Sequence, residues 1–81
     1  MSEQVYNRLA VVRAERKVSR QELAEAVGVH YQTIGYIERG QYNPSLDLAL
    51  KMARFFGLPV GALFSLEPFQ PLTDEVYGRN Q

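Results

Sequence analysis

With 81 residues, no cysteine and a single histidine, the chain has room for one small domain. It has no disulfide framework or thiolate metal site, and His30 alone makes a zinc site untenable, so no metal and no cofactor are expected. No apolar run approaches the ~20 residues of a membrane span, and the opening MSEQVYNRL lacks a signal-peptide core. The expectation is a soluble, cytoplasmic protein. At 46% hydrophobic residues a core is possible but thin, and oligomerisation would help it. Net charge is zero, nine basic against nine acidic residues. The distribution leans, however. Arg8, Arg13, Arg16, Lys17, Arg20 and Arg39 fall in the first 40 residues, whereas the end of the chain carries Glu67, Asp74 and Glu75 against Arg79.

Val5, Leu9 and Val12 share one helix face, and Arg13, Arg16 and Lys17 place cations at that helix's C-terminus. Ser19-Arg20-Gln21-Glu22 is a capping box, so a second helix starts at Arg20 with Leu23, Ala24 and Val27 inward. Gly28 ends it in the manner of a left-handed cap. At about two turns, this helix cannot stand alone in water and must pack on its successor. The third helix runs from about Tyr31 to Glu38 or Arg39, with Val29 and Ile34 at hydrophobic-staple spacing. At roughly 100° per residue, Thr33, Ile34 and Ile37 form an inner arc. Tyr31, Gln32, Gly35, Tyr36 and Arg39 form an outer arc that is polar, aromatic and cationic.

Gly40 to Pro44 reads as a loop, and Ser45 as the cap of a fourth helix with Asp47 in its first turn. Leu46, Ala49, Leu50, Met52, Ala53 and Phe56 would bury much of that helix before Gly57 ends it. Residues 59–64 read as a short fifth helix with Pro59 near its start, although Gly61 weakens it. Phe55, Phe56, Leu63 and Phe64 are expected core, with one or two left for a dimer partner. The tail 66–81 holds two prolines but also Phe69, Leu72, Val76 and Tyr77, more apolar surface than a plain disordered tail carries. It is expected to dock on its own domain or on a partner.

A short helix, a tight turn and a second helix with an exposed polar arc is the helix-turn-helix arrangement. The run VSRQELAEAVGVHYQTIGYIERGQYNPSLDLALKMARFFGLPVGALF resembles the Cro/C1-type (XRE) domain of phage and bacterial repressors. The resemblance spans Leu9 to Phe64 and rests on Ser19, Leu23, Ala24, Val27, Gly28, Ile34, Ile37-Glu38-Arg39-Gly40 and Asn43-Pro44-Ser45. It implies an all-α, five-helix, lambda-repressor-like domain over 1–65, a helix-turn-helix unit at about 20–39, and the tail 66–81. It further implies a homodimer on a palindromic double-stranded operator, with half-sites about 34 Å apart. By position, Tyr31, Gln32 and Tyr36 match base-facing slots of the recognition helix. Arg20, His30, Arg39, Gln41, Tyr42 and Asn43 match backbone-facing ones, and Arg13 and Glu38 match an internal ion pair. A glutamine at the start of a groove-inserted helix can contact adenine N6 and N7 together.

Three departures stand out. His30 occupies a cap slot where the family has Ser or Thr, and it is a poorer cap than either. Gly35 sits mid-helix on the outer arc, and Tyr36 replaces an acidic or long polar residue. Each residue also has a plainer reading. Tyr31 and Tyr36 would then cover core or meet a protein, Gln32 would be merely solvated, and Arg39 would cap its own helix. Arg20 lies in a helix's first turn, where the dipole disfavours a cation, and that mismatch favours a phosphate partner. No nucleophile–base set or glycine-rich phosphate loop is present, so no enzyme is expected. The leading expectation is a DNA-binding repressor without a small-molecule effector. An antitoxin using its tail to hold a toxin, or a protein-interaction module on the same fold, are the alternatives.

Overall fold

The computed structural model describes residues 4–69. It is mostly helical, with elements in the order β1 (Tyr6–Asn7), α1 (Leu9–Glu15), α2 (Arg20–Val27), α3 (Tyr31–Glu38), α4 (Leu46–Phe56), a single 3₁₀ turn (Val60–Ala62) and β2 (Phe64–Ser65). The expected fifth helix is thus reduced to one 3₁₀ turn. Pro59 flanks it in extended geometry, and Gly61, a poor helix former, sits at its centre. The expected first helix is also shorter. Val5 precedes it, and the backbone beside it forms a two-residue antiparallel ladder, Tyr6 opposite Ser65 and Asn7 opposite Phe64. This ladder holds the two ends of the described chain together. Of the expected tail, residues 70–81, including Leu72, Val76 and Tyr77, lie outside the described residues. Phe69 is described, and its ring centroid lies 4.6 Å from Arg8 Cζ.

The helix boundaries follow local chemistry. Ser19 accepts from the Glu22 backbone N–H at 2.9 Å, and Glu22 accepts from the Ser19 N–H at 3.4 Å, completing the capping box. Ser45 caps α4 by accepting from the Leu48 N–H at 3.3 Å. The same hydroxyl donates to Asp47 at 2.7 Å and holds its carboxyl below the ordinary range. The stability this adds is present above the ordinary carboxylate pKa and is lost as the pH falls through the lowered value.

The core is one cluster drawn from every helix. Leu9, Leu23, Ile34, Ile37, Met52 and Leu63 are its fully buried members, with Val12, Ala24, Val27, Leu48, Ala53 and Phe56 around them. Burying a side chain of this size stabilises by roughly 1.5–3 kcal/mol. The cluster fixes α3 from below through Ile34 and Ile37. α4 buries less of itself than its apolar content implies, since Leu46 is 74% and Leu50 49% exposed. Phe55 is 39% exposed, while Phe56 and Leu63 are buried and Phe64 half-buried.

Left-handed backbone turns the chain at Lys17, Gly28, Gly40 and Gly57, and the first two bear on how α1, α2 and α3 meet. Gly28 closes α2 at φ 80°, and Lys17 follows α1 at φ 57°. A Cβ at Gly28 would meet nothing within 4 Å, so the backbone angle alone disfavours a side chain there. At such angles an L-residue is strained by about 1–2 kcal/mol. Gly28→Ala is therefore expected to lower stability by about 1 kcal/mol. Lys17→Gly is expected to raise it by about 0.5–1 kcal/mol, the gain being partly offset by the freer unfolded chain. Urea unfolding of the two variants checks this, and shifts of the same sign would contradict it.

Candidate nucleic-acid interface

α2 and α3 are joined by Gly28, Val29 and His30, and this tight turn sets the angle between them. Val29 is half-buried against the core. His30 caps α3, its Nδ1 accepting from the Gln32 N–H at 3.1 Å, so the position lacking Ser or Thr is capped after all. Accepting at Nδ1 places the neutral imidazole's proton on Nε2 and leaves that nitrogen a donor. The His30 ring stacks on Tyr31 with centroids 4.6 Å apart.

Beneath this surface Glu38 holds three helices together. Its side chain is only 3% exposed. Arg13 Nε on α1 donates to Glu38 Oε2 at 2.7 Å, and Arg13 Nη1 donates to the Val18 carbonyl at 3.0 Å. Arg20 Nε, in the first turn of α2, donates to Glu38 Oε1 at 3.0 Å. Arg20's position against the α2 dipole thus has an internal cause, a carboxylate of the same chain. Its side chain is still 48% exposed. Asn7 works alongside, accepting from the Leu9 N–H at 3.0 Å and donating to the Ile37 carbonyl at 2.9 Å.

The outer arc is open above this frame. Tyr31 and Tyr36 are each about half exposed, and Gln32 is exposed. Arg20, Tyr31, Gln32, Gly35, Tyr36 and Arg39 line one shallow hollow of about 170 Å³, with no acidic side chain among them. Thr33, Tyr36, Gln41 and Tyr42 line a larger and more apolar one of about 460 Å³. Arg39 Nε donates to Gln41 Oε1 at 3.2 Å, and the Arg39 Cζ lies 5.3 Å from the centre of the Tyr36 ring. Asn43 is exposed on the following loop. Gly35 departs from the expected exposed arc and is buried, with the Arg39 guanidinium over it.

Half of the six basic residues in the N-terminal lean are engaged inside the fold. Arg8 Nε donates to the Ala62 carbonyl at 2.7 Å and Arg16 Nη1 to the Phe56 carbonyl at 2.8 Å, while Arg13 serves Glu38. These three arginines close the fold. Sequence reasoning missed Asn7, Arg8 and Arg16 as structural ties, and an arginine's partner carbonyl leaves no local pattern that could have shown them. Among the described residues no group of three or more His, Asp or Glu could hold a metal ion. No helix there is long and apolar enough to cross a membrane.

Two helices across a tight turn, the second buried on one side and presenting aromatic, amide and guanidinium groups on the other, define a helix-turn-helix domain. The chain belongs to the Cro/C1-type (XRE) helix-turn-helix family, whose model matches residues 9–63. An uncharacterised HTH-type transcriptional regulator of Methanocaldococcus jannaschii is 44% identical over 61 residues, 75% of this chain and 92% of that one. The cryptic phage CTXphi transcriptional repressor RstR of Vibrio cholerae is 35% identical over 54 residues, 67% of this chain and 49% of that one. A candidate DNA-binding protein of Bacteroides fragilis, solved as a crystal structure, superposes with a TM-score of 0.70 at 31% identity. That match covers 75% of this chain and 98% of that one.

The Glu38 network sets an order of stability losses. Glu38→Ala strands two guanidinium groups and is expected to cost about 2–4 kcal/mol. Arg13→Ala leaves the buried carboxylate one partner short and is expected to cost about 1–3 kcal/mol. Arg20→Ala breaks a half-exposed pair and is expected to cost at most about 1 kcal/mol. Equilibrium unfolding in urea measures all three, and an Arg20→Ala loss as large as that of Glu38→Ala would contradict the ranking.

Proposed function

We propose that the chain is a sequence-specific regulator of transcription that binds double-stranded DNA with α3 in the major groove. The observation that carries this reading is the outer arc of α3. Apart from Gly35 it is exposed, although Ile34 and Ile37 bury the helix's other side, and it carries groups of the kind that read base edges. Gln32, in the first turn, supplies an amide that can bond adenine N6 and N7 together. Tyr31 and Tyr36 offer rings for thymine methyl groups and hydroxyls for phosphate or base. The apolar hollow between Tyr36 and Tyr42 suits a methyl group.

Backbone contacts are assigned to the rim. Arg20 bonds Glu38 through Nε, and its terminal nitrogens form no hydrogen bond among the described residues, so one side chain can brace α2 and meet a phosphate. His30 has Nε2–H to donate, and Gln41, Tyr42 and Asn43 follow α3 where the backbone would pass. Neutral net charge is compatible with this, because Arg8, Arg13 and Arg16 are engaged by groups of the same chain and Arg20 and Arg39 stand at the hollow.

The finer reading is a cytoplasmic repressor acting as a homodimer on a palindromic operator, by occluding a promoter. Two such domains with α3 in successive major grooves require half-sites about 34 Å apart. The name of the Vibrio cholerae relative, a phage transcriptional repressor, supports the direction of regulation. The domain is taken as 1–65 with 66–81 appended.

Selection of bound sequences from a random duplex pool tests the reading. A palindrome with half-sites one helical turn apart is expected, and no enrichment by folded protein would reject it. On the selected site, affinity should fall steeply with salt, as counterion release requires. Arg20→Ala should weaken all sequences alike and flatten that slope, whereas Gln32→Ala should relax the preference at one base position. An unchanged preference in Gln32→Ala would remove that residue from the reading set.

A further inference from the structure

Gly35 is a puzzle on the outer arc. A mid-helix glycine weakens α3, and an alanine there would favour the helix. The reason for its presence lies one turn further on. A Cβ built on Gly35 would stand 3.2 Å from Arg39 Nη1, 3.7 Å from Nη2 and 3.8 Å from Cζ. Side chains on a helix lean towards its N-terminus, so the Arg39 side chain folds back over position 35. There it enters the hollow that Gln32 and Tyr36 also line.

Three contacts fix the guanidinium in that place. The bare backbone at Gly35 is its floor, the Tyr36 ring lies 5.3 Å from Cζ, and Gln41 Oε1 accepts from Nε at 3.2 Å. Gln41 is itself held, its backbone N–H donating to the Tyr36 carbonyl at 2.9 Å. With Nε engaged, the two terminal nitrogens remain, and among the described residues neither forms a hydrogen bond. The result is a flat pair of donors, pre-ordered on the face of α3 rather than swinging from its end. Ordering a long side chain before binding removes part of the entropy cost of using it.

Resting on the DNA-binding reading above, we infer that Arg39 reads a guanine in the major groove through Nη1 and Nη2, with Gly35 as the seat that lets it reach there. Guanine O6 and N7 are adjacent acceptors that match two guanidinium donors in one plane. A lysine ammonium can approach the same two acceptors but lacks the planar fork and the stacking surface, so it matches the pair less well. Tyr36 and Gln41 are positioning residues for Arg39. This moves Arg39 from the backbone-contacting set to the base-reading set, beside Gln32. A residue gripping phosphate from the rim has no need of a glycine one turn back.

The test is a duplex selection run in parallel with the wild type, Arg39→Lys and Gly35→Ala, each first checked for cooperative unfolding. The wild type is expected to enrich a guanine at one symmetric position of each half-site. Arg39→Lys keeps the charge and is expected to weaken the preference for that guanine alone. On duplexes differing only there, it should lose roughly 5- to 100-fold of discrimination per half-site. Gly35→Ala should blunt the same position and no other, while its thermal midpoint stays equal or rises. Arg39→Lys retaining the full preference, or weakening every sequence equally, would overturn the inference and leave the DNA-binding reading intact. A Gly35→Ala preference identical to the wild type would overturn the role of the seat. No enrichment by the folded wild type would overturn both readings.

Discussion

The carboxylate of Glu38 is the polar joint on which the presentation of α3 depends. It sits at the last turn of α3, nearly out of solvent, and receives Arg13 from α1 and Arg20 from α2. A carboxylate is costly to bury and is repaid only when its partners are well placed. Here both oxygens have a guanidinium partner, and no buried side-chain polar atom among the described residues is left without one. The apolar cluster supplies most of the stability, since burial is roughly proportional to area and has no direction. Direction comes from the ion pairs and from Asn7, which holds the Ile37 carbonyl next to Glu38. α3 is pinned along its inner side by Ile34 and Ile37 and at its end by Glu38, so its outer arc is presented in one orientation.

This division of labour explains how a chain of zero net charge can carry a cationic outer arc on α3. Arg8, Arg13 and Arg16 end on carbonyls or on Glu38, tying the residue before α1 to the 3₁₀ turn, α1 to α3, and the end of α1 to α4. Arg20 is shared between frame and surface. Arg39 belongs to the surface and rests on Gly35. A count of charges sees all five alike, yet only the last two line the hollow over α3. The two hollows also differ in character. Each is lined by two tyrosines and an amide, and the first adds the guanidinium groups of Arg20 and Arg39, which the second lacks.

Much of the fold was legible because it is written in local signals. The capping box at Ser19, the glycine at Gly28, the Ser45 cap and the 3.6-residue apolar spacing locate α2, α3 and α4, leaving the end of α3 open by one residue. The misreadings share a physical cause, which is competition from distant partners. Val5 has helical spacing, but Asn7 and the β2 backbone draw the chain before Leu9 into a ladder. Residues 59–64 carry helix-like apolar residues, but Gly61 and the same ladder leave a single 3₁₀ turn. Leu46 and Leu50 look like core by composition and stand open to solvent. In the site, the outer arc of α3 was readable from periodicity, whereas the Arg20–Glu38 pair joins residues 18 apart and His30 caps through a ring nitrogen. Neither has a sequence pattern of its own. Gly35 could be flagged from sequence as a misfit, but its reason required seeing Arg39 laid across it.

The measurement that bears most directly on the central claim is an NMR amide-shift map of the isotopically labelled chain titrated with its selected duplex. The account predicts the largest perturbations from His30 to Asn43 and at Arg20, with α4 from Leu46 to Leu50 moving far less. Perturbations centred on α4, with Tyr31, Gln32 and Tyr36 unmoved, would contradict it.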